Sequence, residues 1–305
     1  MLSYAIRRLL GAIPTLFLII TIAFFMVRLA PGGPFDSERR LPAEIEANLR
    51  AKYNLDDPLV VQYLHYLGDV VRGDFGPSFK YKDFSVNDLI WQGFAISAQI
   101  GGLAIAGALI LGLAFGTLAA LRQNSAADYG VMAAAMTGIT IPNFVMAPLL
   151  TLVLGIYLGL LPVGGWGQVR HMVLPVVALG LPQIAYVSRM TRASMIEVLR
   201  SNYIRTARAK GLPERITILR HAMRAAILPV VSYLGPAAAG IITGSVVIEQ
   251  IFGIPGVGRH FVQGALNRDY TLVLGVVVFY GALIILFNLI VDLLYGMLDP
   301  RVRYD

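Results

Sequence analysis

Long stretches free of Asp, Glu, Lys and Arg set the pattern of this chain. Six of them, Leu9–Val27, Phe94–Leu121, Val131–Leu161, Met172–Ser188, Ala225–Ile248 and Tyr270–Val291, run for 19, 28, 31, 17, 24 and 22 residues. A hydrocarbon core of ~30 Å is crossed by about 20 helical residues rising ~1.5 Å each. Inside lipid every backbone N–H and C=O must find its partner within the segment, and no ten-residue alternation suggests a barrel. Each run therefore predicts a spanning helix, six in all, with the two longest tilted or extending past the core. The first starts directly behind Arg7 and Arg8 and is closed by Arg28 without a small-residue cleavage site. It exceeds the ~7–15 residues of a signal-peptide core and is read as a retained helix.

Between the first two runs the pattern changes. Residues 28–93 are polar enough to lie outside lipid and, at about 65 residues, too long for a bare connection. Ile45–Tyr53 has helical spacing. Asp57-Pro58 reads as a helix start before Leu59, Val60, Tyr63, Leu64 and Leu67, and Gly73-Asp74-Phe75-Gly76-Pro77 as its break. A small, partly helical external subdomain is expected. In the second cluster of charge, residues 189–224, no Pro or Gly interrupts Ser194 to Lys210. There Met195, Ile196, Val198, Leu199, Tyr203 and Ile204 give a helix with an apolar side, ended by Gly211 with Pro213 two residues on.

Composition agrees with a membrane protein and charge orients it. Of 305 residues 57% are hydrophobic and 14% charged, against ~25% charged in soluble proteins. The net charge of +7 would suggest nucleic acid in a soluble protein. Sorted by segment, it becomes a topology signal. The amino terminus, 122–130, 189–224 and the carboxyl tail together hold 14 basic and 5 acidic residues, whereas 28–93 holds 8 and 10. Lysine and arginine concentrate on the cytoplasmic side, so both termini and the 189–224 loop are expected inside. No nucleic acid is needed to explain the charge.

Candidate chemistry is sparse. Without cysteine, thiolate metal sites and Cys nucleophiles are excluded. The histidines, His65, His171, His221 and His260, are scattered, and neither a G-x-S-x-G elbow nor a P-loop occurs, so no metal or catalytic cluster is expected. Glu249 and Asp292 stand at helix ends, where a terminal carboxylate is the plainer reading. The uncharged polar residues in the runs are Gln99, Asn143, Gln183 and Asn288. Each serves either to bond a neighbouring helix or to line a translocation path. The basic stretch 189–224, with nine Arg or Lys and two Glu, is either a helix on anionic headgroups or one that inserts into a cytoplasmic partner.

The sequence Arg205-Thr206-Ala207-Arg208-Ala209-Lys210-Gly211-Leu212, followed by Leu219-Arg220-His221-Ala222 and Ile227-Leu228-Pro229, resembles the cytoplasmic signature of ABC importer permeases in its peptide/nickel form. Arg205 stands in place of the generic glutamate, Thr206 replaces an alanine, and the glycine-to-proline spacing is longer. Further similar blocks are Arg7-Arg8 with Ala12-Ile13-Pro14-Thr15, Arg28-Leu29-Ala30-Pro31-Gly32, Gly235-Pro236, Gly240 to Ser245, Glu249 to Gly258, Asn267-Arg268-Asp269-Tyr270 and Leu298-Asp299-Pro300-Arg301. The outer block Gly73 to Asp83 is most similar to the B-type permease subunits of bacterial oligopeptide importers.

The resemblance implies an all-α type I ABC importer permease fold in a bacterial inner membrane. Residues 1–28 would be the amino terminus and first helix, 29–93 the external insertion, 94–299 the permease core and 300–305 a cytoplasmic tail. It also implies partners: a second homologous permease, two ATP-binding subunits that carry the ATP and magnesium, and an extracytoplasmic peptide-binding protein. Oligopeptides would cross between states open to either side, and no cofactor would sit in this chain. Tyr203, Arg205, Thr206, Ala207, Arg208, Ala209, Lys210 and Gly211 would form the coupling helix seated in an ATPase cleft. A dipeptide, nickel or heme permease is the rival within the family, and a proton-coupled carrier the rival outside it.

Overall fold

The computed structural model describes residues 2–29, 54–81, 83–243 and 245–298. The described residues are almost wholly helical, and four helices are long and apolar enough to span a membrane unbroken. These are α1 (Leu2–Leu29), α3 (Val86–Leu121), α6 (Val169–Leu199) and α12 (Tyr270–Leu298). Two further spans are bent pairs: α4 (Ala126–Thr140) with α5 (Asn143–Tyr157), and α8 (Glu214–Ala226) with α9 (Leu228–Ile242). Counting each pair once gives the six expected spans. Ile45–Tyr53 and the carboxyl tail, 300–305, lie outside the described residues.

The pairs depart from two single tilted helices, and proline is the reason. The break between α4 and α5 turns the chain by 106°. A residue before proline is pushed out of the helical region, and Ile141 before Pro142 is extended, with φ −94 and ψ 118. Pro148 then sits inside α5, whose last turns, Thr151–Tyr157, widen to π geometry. Pro229 stands in the first turn of α9, where its missing N–H removes a bond that would have run back into α8, and the two helices meet at 53°. The run Ala225–Ile248 also ends early, because α10 (Val246–Phe252) is a separate short helix. By contrast α3 starts eight residues before its charge-free run. Ser85 and Asp88 cap each other's backbone N–H groups in a capping box, so a charged first turn is stabilised rather than excluded.

Helices in lipid gain nothing from hydrophobic association and hold together by close packing. At the centre, Gly112 and Gly116 of α3 lie so close to α6 that an added Cβ would meet the Val187 side chain at 2.6 Å and the Ser188 carbonyl at 2.5 Å. Further along the same two helices one core cluster joins Ile100 and Ala104 to Leu174, Ala178, Ile248 and Phe252. The external segment holds one described helix, α2 (Leu59–Val71), which follows Pro58 and ends before Gly73, with φ +77, and the described residues from there to Ser85 are turns and bends. It docks on α1, where Phe24 stacks on Tyr66 with ring centroids 5.7 Å apart and Tyr63 Oη lies 2.7 Å from Thr21 Oγ1.

Candidate functional site

The basic loop 189–224 folds into a helix, a short amphipathic helix and a return helix. α6 stops at Leu199, and α7 (Asn202–Ala209) begins after a two-residue break, so the uninterrupted helix expected from Ser194 to Lys210 is divided. Serine and asparagine compete for backbone groups and favour helix ends. Here the Ser201 hydroxyl donates to the Val198 carbonyl at 2.6 Å, while Ser201 itself is extended. The far end of α7 follows the expected stop. Gly211 has φ +78; its N–H donates to the Arg208 carbonyl at 2.9 Å and that of Leu212 to the Ala207 carbonyl at 3.3 Å. These are the two bonds of a Schellman end, which needs a left-handed residue after the cap.

α7 turns one face inward. Ile204 is fully buried in a cluster with Met195, Ala120, Ala222 and Ala226, and Ala207 is 6% exposed. Tyr203, Arg205, Thr206, Arg208, Ala209, Lys210 and Gly211 all lie exposed. Of the eight residues expected to meet a partner, Ala207 alone faces the chain's own core. Arg208 reaches across the turn to Glu214, with Nη2 to Oε1 at 2.6 Å and Nε to Oε2 at 3.1 Å. These bonds push the Arg208 guanidinium further above its ordinary value, so it stays charged. Eight residues cannot hold a helix in water unaided; α7 is held by a buried side, a fixed end and a two-pronged ion pair.

The remaining basic residues divide in two. Arg192 is spent internally: its Nε and Nη2 each donate at 2.6 Å to Asp128, which is 1% exposed at the start of α4. Arg200 Nη2 donates to Gln123 Oε1 at 3.0 Å. Arg189, Arg205, Lys210, Arg215, Arg220 and Arg224 are exposed and form no ion pair among the described residues. α7 and its flanks therefore make a firm cationic projection with an aromatic residue, Tyr203, on it. Such a surface suits an acidic protein cleft.

The four polar residues in the spans are not gathered by hydrogen bonds to one another. Gln183 accepts from Tyr233 Oη at 2.5 Å, tying α6 to α9. Asn288 sits where α12 crosses Gly235, its Oδ1 3.3 Å from the place of a Cβ there. Gln99 is exposed on α3, and half-buried Asn143 opens α5 behind Pro142.

Two buried carboxylates on the face carrying the external segment were not legible as centres of bonding. Glu249, 4% exposed, accepts from Ser97 Oγ at 2.6 Å and from the Arg259 N–H at 3.0 Å, while Ser97 Oγ accepts from the Val257 N–H at 3.0 Å. Gly256 leaves it room: a Cβ there would lie 2.3 Å from the carboxyl carbon. The carboxylate thus fixes the start of α11 (Val257–Leu266) against α3. Asp269 is fully buried and accepts from the Ser78 hydroxyl, from the Phe79 N–H at 3.2 Å and from the Leu272 N–H at 3.2 Å. It joins two blocks of the sequence that lie about 190 residues apart. The spacing Glu249-x6-Gly256-x-Gly258 was the one available sign of the first centre.

The sequence model of the family described as "Binding-protein-dependent transport system inner membrane component" matches residues 112–304, and that of its N-terminal part matches residues 1–84. The chain belongs to this family. Among its relatives, the oligopeptide transport system permease protein OppB of Escherichia coli (strain K12) is 60% identical, over 100% of both chains. The protein of that name from Haemophilus influenzae is 56% identical over the same extent. The dipeptide transport system permease protein DppB of Bacillus subtilis (strain 168) is 45% identical over 99% of this chain and 98% of its own. A crystal structure of an amino acid ABC transporter with histidines shares the fold, with a TM-score of 0.52 and 16% identity over 71% of this chain and 95% of that one. The resemblance read from the motifs is thus borne out, as is the all-α type I permease fold. In this transport-system membrane component the matched residues include α7, the Asp128–Arg192 pair and both buried carboxylates.

Proposed function

We propose that this chain is one of two membrane-spanning subunits of an ATP-driven importer for oligopeptides. Its termini and α7 lie in the cytoplasm, and the segment before α3 faces outside. Two ATP-binding subunits hydrolyse ATP with magnesium, a second homologous permease completes the pathway, and an extracytoplasmic binding protein delivers the peptide. The division into 1–28, 29–93, 94–299 and 300–305 follows from this arrangement.

The geometry of α7 carries the reading. A helix held by its own buried side, its end and a salt bridge moves as one body with the spans it joins, α6 and α8–α9. Seated in an ATPase cleft through Tyr203, Arg205 and Lys210, it would bias the permease between two states when the ATPase pair closes. Ala207 acts from the permease side, packing the helix down. The cargo follows from the full-length likeness to permeases named for oligopeptide transport, at 60% identity against 45% for the dipeptide relative. Gln99, Asn143 and Asn288 are the path candidates whose side chains have no hydrogen-bond partner among the described residues.

The test is purification through a tagged copy, followed by reconstitution of what comes with it. ATP-driven uptake of a radiolabelled oligopeptide in the absence of a proton gradient supports the reading. Uptake by this chain driven by a proton gradient without any ATP-binding subunit overturns it.

A further inference from the structure

The exposed faces of the spans are not alike. α1 shows Leu10, Ile13, Phe17, Leu18, Ile22 and Met26, as a surface meeting lipid tails should. α9 instead exposes Pro229, Ser232, Pro236 and Gly240 at helical spacing, and the exposed positions in the second half of α6 are Arg189, Ala193 and Glu197. A cation exposed at the edge of a span is costly against hydrocarbon and faces water, protein or headgroups. Arg189 does not stand alone. Its guanidinium carbon lies 5.5 Å from the centre of the Tyr186 ring, and that ring lies 5.5 Å from Tyr233. The Tyr233 hydroxyl donates to Gln183 Oε1 at 2.5 Å, which leaves the Gln183 amide hydrogens without a partner among the described residues.

We propose that Arg189, Tyr186, Tyr233 and Gln183 form a subsite at the cytoplasmic mouth of the pathway that takes the terminal carboxylate of the passing peptide; this rests on the oligopeptide reading above. A guanidinium lying on an aromatic ring keeps its edge free, and that edge presents paired N–H donors matched to a carboxylate. The Gln183 amide supplies a donor for the last peptide carbonyl, and the two tyrosine rings give a face against which any side chain can lie. A conduit for varied peptides gains nothing from a charge aimed at one side chain, because an unmatched buried partner penalises every other cargo. The terminal carboxylate and the backbone amides are the groups that all free peptides share. The subsite therefore adds hold without adding sequence preference.

The experiment uses the complete complex in proteoliposomes. It compares ATP-driven uptake of one radiolabelled oligopeptide with that of its C-terminally amidated twin, and binding of both to the isolated binding protein is measured separately. In the unaltered complex the free acid is expected to cross faster by roughly tenfold beyond the binding protein's own preference, the scale of one charge-assisted bond. Arg189→Gln is expected to bring that excess close to one, Arg189→Lys to keep part of it, and Tyr186→Leu to reduce it. A merely structural role would slow both peptides alike. An acid-to-amide ratio unchanged in Arg189→Gln overturns the proposal. Should that variant fail to assemble, an unchanged ratio in Tyr186→Leu does the same. Failure of the unaltered complex to take up either peptide with ATP counts against the oligopeptide reading itself.

Discussion

Gly211 offers the most direct link between a backbone angle and coupling. Its φ of +78 lies in the left-handed region, and a Cβ there would meet nothing within 4 Å. Substitution therefore causes no clash and acts through conformation alone. A residue other than glycine held in that region costs about 1–2 kcal/mol. Leaving the region instead gives up the two bonds from Gly211 and Leu212 that close α7, each worth about 0.5–1.5 kcal/mol net. Either route weakens the fixed end by a similar amount, and ~1.4 kcal/mol lowers its occupancy relative to the frayed form tenfold. Asparagine tolerates the region, alanine less so, and β-branched valine least. Peptide taken up per ATP hydrolysed, measured in proteoliposomes, should therefore fall in the order Gly, Asn, Ala, Val at position 211. Membrane insertion and complex yield should stay level. If Gly211→Val couples as well as the unaltered protein, the fixed end does not matter. If Gly211→Asn is as poor as Gly211→Val, the glycine serves a contact and not a conformation.

Other expected outcomes follow from the buried polar groups. Asp128→Ala strands Arg192; breaking a buried pair costs ~3–5 kcal/mol, and the lower end applies because the Arg192 side chain is 27% exposed. Thermal unfolding in detergent should show that loss, and adding Arg192→Met should recover much of it; an additive double variant would deny the coupling. Gly256→Ala drives a methyl group into the Glu249 carboxylate, for a loss of about 1–3 kcal/mol. Gly102→Ala, in open space on α3, should be neutral or stabilising in the same assay, and equal losses at both would contradict the packing argument. Asp269→Ala removes the acceptor that holds the backbone at Phe79, so the outer segment around Lys80 should become cleavable by protease added to right-side-out vesicles; unchanged resistance would show that other contacts suffice.

How much was legible in the sequence depended on which physical signal each feature leaves. Unbroken spans such as α1 and α12 were legible because lipid demands apolar side chains along their whole length. Apolarity reports the surroundings of a helix and not its direction, so the 106° turn at Pro142 was hidden within one apolar run. The sign was Pro142 itself, since it forces Ile141 out of helix. The end of α7 was legible from Gly211, whereas its start was not, because apolar spacing carries smoothly across Ser201-Asn202. The inward turn of Ala207 follows from that break, which resets the helical phase. Glu249 and Asp269 were beyond reach for a different reason. Their partners, Ser97 and Ser78, lie 152 and 191 residues away, and a single chain records no such pairing.

The central claim is that α7 is a rigid helix seated in an ATP-binding subunit. The chain contains no cysteine, so single cysteines can be placed along α7 without background. The decisive measurement is the accessibility of Tyr203→Cys, Arg205→Cys and Ala207→Cys to a water-soluble maleimide in inside-out vesicles, with and without the ATP-binding subunits. The first two should be labelled readily in the permease alone and protected when the ATP-binding subunits are present, while Ala207→Cys should resist labelling in both. Equal labelling of Tyr203→Cys and Arg205→Cys with and without those subunits would contradict the claim.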